Sequence, residues 1–113
     1  MTNPETSQKI QELQALEQNH QAFLMQKQSI QMELNETLNA LEEVKKTSGD
    51  VYRVLGNVMV KSDKEKIIKD LEEKKRISEM RVSAIEKQEK IIHSNIDVLK
   101  KEITSLISQN QKK

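Results

Sequence analysis

Cysteine and tryptophan are absent from the 113 residues, and only two glycines, one proline, one tyrosine and one phenylalanine occur. Each shortage excludes something. Without cysteine there is no disulfide and no thiolate metal ligand, and a reducing compartment is expected. With proline only at position 4 and glycine only at 49 and 56, two long stretches contain no helix breaker. At 35% hydrophobic and 33% charged residues, the chain is short of the large apolar side chains that a compact globule of this length would bury. The composition suits an extended helical protein that buries a narrow seam. No apolar run approaches the roughly 18 to 20 residues of a membrane span, and the opening MTNPETSQKI holds no signal-peptide stretch. The expectation is a cytoplasmic protein with no membrane partner.

Net charge is small, +1 overall, but the charges are unevenly placed. Residues 1–50 carry four lysines against eight acids, whereas residues 51–113 carry fifteen basic residues against ten acids. Helices of opposite sign favour each other over self-pairing. In the basic half, Glu65/Lys69, Asp70/Lys74, Glu72/Arg76, Glu86/Lys90 and Asp97/Lys101 are i, i+4 pairs in the favourable order. Such interleaving predicts a solvated helix face, and no nucleic-acid partner is expected. The competing reading would use Lys74, Lys75, Arg76 and Arg81 against phosphates and requires affinity that falls steeply with salt.

What is present is a pair of apolar stripes in mirror image about Gly56. The first runs at alternating three- and four-residue steps through Leu13, Leu16, His20, Phe23, Lys27, Ile30, Leu34, Thr37, Leu41 and Val44. Its counterpart, read backwards, is Leu99, Ile96, Ile92, Glu89, Ile85, Val82, Ser78, Lys75, Leu71 and Ile68, each pair of numbers adding to 112. Antiparallel packing brings the members of each pair to one height on a shared seam. The polar members Lys27, Thr37, Lys75, Ser78 and Glu89 cost stability but disfavour slipped registers. A flanking stripe, Ile10, Leu24 and Leu38 with Ile67, Ile91 and Ile107, is expected from the drift of a 3.6-residue helix against a 3.5 repeat.

Local signals set the boundaries. Asn3-Pro4 suits a helix start, with Asn as N-cap and Pro at the first helical position, and the first helix is predicted over about residues 4–48. Thr47-Ser48-Gly49-Asp50 is the stop, with Gly49 available as a left-handed terminal residue. The next stretch, VYRVLGNVMV, replaces helix formers by β-branched and aromatic residues around Gly56-Asn57. Glycine at the first central position suits a two-residue type II′ turn, so residues 51–55 and 58–61 read as the arms of one hairpin. Both faces of these arms are apolar, with Arg53 the only polar interruption in the first arm. An isolated two-stranded hairpin is marginal in water, so strands from other chains are required. Ser62-Asp63-Lys64-Glu65 reads as a capping box opening a second helix over residues 62–109, with residues 110–113 loose.

Beyond the Leu13–Leu99 pair the mirror fails: Ile103 falls opposite Lys9 and Leu106 opposite Thr6, with Ile107 alongside and Ile10 the one apolar neighbour. Apolar side chains kept at helical spacing without a partner in their own chain read as a binding surface; a frayed amphipathic end is the plain alternative. His20 and His93 lack the companions of a metal site, and His20 is expected to be a tolerated polar residue of the seam. No cofactor, metal or catalytic constellation is expected, because the two short loops offer no nucleophile with a base and no glycine-rich phosphate cradle. The glycosylation sequon Asn35-Glu36-Thr37 reads as chance, and Met25, Met32 and Met80 as ordinary helix residues, with adaptable soft contacts for varied partners as the alternative.

Long helix, short hairpin and long helix in about this length resembles the prefoldin family. The stretch VYRVLGNVMVK (51–61), preceded by MELNETLNALEEV (32–44) and followed by LEEKKRISEMRVSAIEKQEK (71–90), is similar to the archaeal beta class, a likeness spanning roughly residues 26–103. The alpha class inserts a second hairpin, for which there is no room. The resemblance implies an all-α dominated fold in a single domain over residues 1–113: a long antiparallel two-helix coiled coil with one β-hairpin that assembles into an oligomeric β-barrel platform. It implies a co-chaperone without ATPase or other enzymatic activity. Two alpha and four beta subunits would form a hexamer that holds unfolded client proteins at the distal coiled-coil tips and passes them to a group II chaperonin. In that frame Val51, Tyr52, Val54, Leu55, Val58, Met59 and Val60 carry assembly. Geometry assigns client contact to Ile10, Leu13, Leu16, Leu99, Ile103, Leu106 and Ile107. The alternative is a coiled-coil scaffold or tether that binds one folded partner.

Overall fold

The structure, a computed structural model, describes residues 4–111. Helix α1 (Pro4–Lys46) leads into strands β1 (Val51–Leu55) and β2 (Val58–Ser62), and helix α2 (Lys64–Gln111) completes the chain. The residues cluster into two compact units, Gln28–Ser83, which contains the hairpin, and Met1–Lys27 with Ala84–Lys113, which contains the helix ends.

The two helices pack antiparallel in each unit. In the hairpin unit Glu33 pairs with Arg81 and Lys45 with Glu72; in the helix-end unit Lys9 pairs with Glu102 and Lys27 with Glu86. All four lie within about a turn and a half of the mirror register. Every seam position read from the sequence is buried or half-buried, while most of the remaining helix surface is exposed. In the hairpin unit Ile30, Leu41 and Ile67 are buried, and so are Thr37 and Ser78. The Thr37 hydroxyl donates to the Glu33 carbonyl one turn back at 2.8 Å, which satisfies it inside the seam. In the helix-end unit Ile85, Ile96, Leu99 and Ile103 form the buried set. Each such side chain contributes about 1.5–3 kcal/mol of transfer free energy. The flanking stripe holds only in part: Ile67 is buried and Ile10 and Leu24 are half-buried, but Ile91 is 62% exposed on the outer face.

Three local expectations are corrected. Gly49 does not close α1 in a left-handed conformation, because Gly56 is the one residue with positive φ among those described. Instead the Thr47 amide donates to the Glu43 and Val44 carbonyls, its hydroxyl donates to Glu43 at 2.7 Å, and Lys64 Nζ donates to the Thr47 carbonyl at 2.6 Å. The lysine adds a cation at the negative end of the helix dipole. At the start of α2 the cap is Asp63, whose Oδ1 accepts the Glu65 amide at 3.2 Å. Ser62 is engaged otherwise: it pairs with Val51 as the last residue of β2, and its hydroxyl donates to the Val60 carbonyl. At the far end α2 continues through Gln111, so residues 110 and 111, expected to be loose, are helical. Asn3, Lys112 and Lys113 lie outside the described residues.

None of the five i, i+4 pairs expected on α2 forms among the described residues. Asp70 turns to Arg53, Glu72 to Lys45 and Glu86 to Lys27, all outside α2, while Asp97 faces His93. For Asp70, Glu72 and Glu86 the physical reason is competition. A helix-surface pair is worth only a few tenths of a kcal/mol, about 0.2–0.5, so any cation brought close by tertiary packing displaces it.

Candidate functional sites in the hairpin and at the helix ends

The hairpin is built as its sequence requires. The strands pair antiparallel from Val51 with Ser62 to Leu55 with Val58, leaving Gly56-Asn57 as a two-residue loop. Gly56 has φ of 61° and Asn57 is not in the positive-φ region, the sign pattern of a type II′ turn. The second arm extends one residue past its expected end at position 61, because Ser62 stays in the ladder.

The side chains divide between two faces. Val51, Arg53 and Leu55 share one face with Val58, Val60 and Ser62; Tyr52 and Val54 share the other with Met59 and Lys61. Of the seven residues assigned to assembly, Val51 at the base is half-buried. The other six are exposed, from 43% at Val60 to 66% at Val54 and Met59. A contiguous apolar surface on both faces of a ribbon is unusual for a lone chain. Among the described residues the sheet has only these two strands, so both outer edges also offer unpaired backbone groups. Such a hairpin is chemically equipped to pair its edges and bury its faces against further strands.

At the helix ends the structure corrects the sequence reading. Leu99 and Ile103 are buried at 7% and 8% exposure, inside the helix pair. Ile10, Leu13, Leu16 and Leu106 are half-buried, and Ile107 is 42% exposed. The seam does not stop at Leu13–Leu99. It continues through Thr6, the most buried side chain at 1%, and through Lys9, whose partly buried side chain reaches Glu102 at 2.7 Å. A lysine stem covers apolar surface while its ammonium stays in polar company. That hydrogen bond to Glu102 raises the Lys9 pKa above its ordinary value. The missed signal was the repeat itself: Thr6 lies seven residues before Leu13, and Lys9 seven before Leu16. Thr6 keeps its buried Oγ1 without a hydrogen-bond partner.

Between these regions the seam is polar. His20 is half-buried with Nε2 lacking a hydrogen bond and 3.7 Å from Glu89, and its ring meets that of His93 edge-on at 6.2 Å. Lys27 lies between Glu86 and Glu89 at 3.6 and 3.4 Å, which balances a cation and two carboxylates at one level. Among the described residues no group of three or more His, Asp or Glu side chains is placed to hold a metal ion. No described helix is long and apolar enough to cross a membrane.

Comparison with known proteins agrees with this arrangement. Residues 7–110 match the family described as Prefoldin subunit. The chain is 34% identical over 106 residues to the prefoldin subunit beta of Pyrococcus furiosus, covering 92% of this chain and 91% of that protein. It is 33% identical over 107 residues to the prefoldin subunit beta of Archaeoglobus fulgidus, covering 93% and 92%. The crystal structure of the prefoldin beta subunit from Thermococcus strain KS-1 superposes with a TM-score of 0.86 at 33% identity, over 94% of this chain and 96% of that one. The beta2 subunit from the same strain shares the fold, with a TM-score of 0.67 at 19% identity over 76% of this chain and 94% of that one. Two antiparallel helices joined by one hairpin, matched in sequence over nearly their whole length, place the chain in the prefoldin family as a beta-type subunit, a molecular chaperone and not an enzyme.

Proposed function

We propose that this subunit acts as an ATP-independent holdase in a hexamer of two alpha-type and four beta-type subunits, capturing unfolded proteins and delivering them to a group II chaperonin in the cytoplasm. Residues 1–113 act as one prefoldin-like domain, the hairpin unit for assembly and the helix-end unit for clients. The observation that carries the reading is the hairpin, whose six large apolar side chains stand exposed with both strand edges free. A ribbon of this kind gains stability by joining other strands.

Client contact falls on the part of the helix ends that the seam leaves open. Ile107 is the most exposed of the seven residues first assigned there, with Leu106 and Ile10 partly open beside the seam. Leu99 and Ile103 instead hold the two helices together and shape the surface from within. Several tips acting at once supply avidity that no single weak contact has.

The test is to measure the mass of the purified chain alone and after mixing with an alpha-type subunit, then aggregation of a chemically unfolded protein without ATP. A six-chain complex that suppresses aggregation supports the reading. A chain that ignores both the alpha-type subunit and unfolded protein overturns it and favours a tether for one folded partner.

A further inference from the structure

Hardly any packing holds the hairpin to the helices. Only Val51 and Ser62, paired at its base, are half-buried, and every other strand residue is exposed. The chain links are short: residues 47–50 lead in from α1 and Asp63 alone leads out to α2. With so little burial, these two links and a few polar contacts are what join the ribbon to the helices. The base itself is tied, since Lys64 bonds the Thr47 carbonyl at 2.6 Å and Lys61 lies 3.6 Å from Asp50. Neither contact fixes the angle at which the strands leave the helices.

One contact does. Arg53, in the middle of β1, donates through Nη2 to Asp70 Oδ2 of α2 at 2.8 Å. Among the described residues it is the one hydrogen bond or ion pair that joins a strand to a helix. Two residues up a strand span about 7 Å, and six residues into a helix about 9 Å, so the pair closes a triangle whose apex is the β2–α2 junction. A bond across the open side of a triangle sets its angle. Arg53 is also the single charged residue of its strand, on a face otherwise built of Val51 and Leu55.

We propose that Arg53–Asp70 is a strut that sets the hairpin's angle and so orients its two apolar faces for other subunits. Arg53 shares its face with Leu55, Val58 and Val60, and alternation puts Tyr52, Val54 and Met59 on the opposite one, so the angle of the ribbon decides how each apolar face meets other subunits. The pair is half-exposed and weak as a source of stability, yet a hairpin joining a closed ring must meet its neighbours at one angle. The consequence for assembly rests on the proposed function, whereas the angle itself does not.

Because the chain has no cysteine, spin labels can be placed at Asn57→Cys and Lys74→Cys without background. Electron–electron distance measurements on the full-length chain should give one narrow distribution. Asp70→Asn should broaden it while helical circular dichroism is unchanged. The charge swap Arg53→Asp with Asp70→Arg should narrow it again. In mixtures with an alpha-type subunit, Asp70→Asn should raise the concentration for half-assembly by about fivefold or more, and the swap should recover most of that loss. An Asp70→Asn chain with the wild-type distribution, or a defect that the swap leaves unrepaired, overturns the strut. Failure of the wild-type chain to assemble, with the distance effect intact, overturns the assembly reading alone.

Discussion

Lys9 of α1 donates a hydrogen bond to the Glu102 carboxylate of α2 at 2.7 Å, and beside that pair Ile103 is buried at 8% exposure. A charged residue thus extends an apolar seam by one more step. Replacing Ile103 with Ala should destabilise the chain by about 2–3 kcal/mol, near the low end for a buried aliphatic truncation because the helix ends can relax. Ile107→Ser, at a 42% exposed position, should change stability by less than about 0.5 kcal/mol. Thermal unfolding of the two variants checks the contrast, and equal effects would place both side chains on the same footing.

For client binding, Ile107→Ser combined with Leu106→Ser should preserve hexamer assembly and weaken suppression of aggregation at matched concentration. The single variants should show little, because each contact is worth about 1 kcal/mol or less and several tips act together. Unchanged suppression by the double variant would move client contact elsewhere along the helices.

Assembly should depend on the hairpin faces. Val54→Asp with Val58→Asp puts charge on both faces, at positions 66% and 58% exposed in the single chain. The helices should remain folded by circular dichroism while the complex with an alpha-type subunit is lost, since burying an unpaired carboxylate in an interface is far costlier than exposing it. Persistence of a hexamer by light scattering would refute the assignment.

The two glycines should respond in opposite directions. Gly56 holds φ of 61°, and an alanine there should cost about 1–2 kcal/mol even though a Cβ would meet nothing within 4 Å. Gly49 is equally open and carries no positive φ, so Gly49→Ala should be neutral or stabilise by about 0.4–1 kcal/mol through the unfolded chain. Denaturant midpoints measure both.

Glu73 and Arg76, three residues apart on α2, form a hydrogen-bonded ion pair. The guanidinium holds the Glu73 carboxyl below its ordinary pKa and is itself raised. A lowered folded-state pKa contributes stability that is present above the ordinary carboxylate value and lost as pH falls through the lowered one. Arg76→Gln should therefore shift the Glu73 titration midpoint upward in an NMR titration of the side-chain carbons. An unmoved midpoint would show that the pair does not persist in solution.

Much of the fold was legible because its signals are periodic and local. A residue such as Ile30 or Leu41 declares its face by its spacing, and the mirror about Gly56 makes antiparallel pairing the one arrangement that buries both stripes. The II′ turn was equally plain, since few residues other than glycine accept the backbone at position 56. The exposed hairpin followed from VYRVLGNVMV, which has more apolar side chains than two strands can cover.

Where two residues compete for one role, the sequence alone does not choose. Ser62 and Asp63 are both good N-caps, and the choice fell to Asp63 because the β ladder had already claimed Ser62 for Val51. Asp70 could serve Lys74 within its own helix, yet tertiary packing brings Arg53 to 2.8 Å. Ile103 looked partnerless in sequence because Thr6 and Lys9 are polar, although the structure buries both the threonine and much of the lysine. Periodicity and backbone sterics act along the chain and are written in it. Which polar atom meets which is decided by distances through space, among alternatives that differ by about 1 kcal/mol or less, and only the folded arrangement supplies those distances.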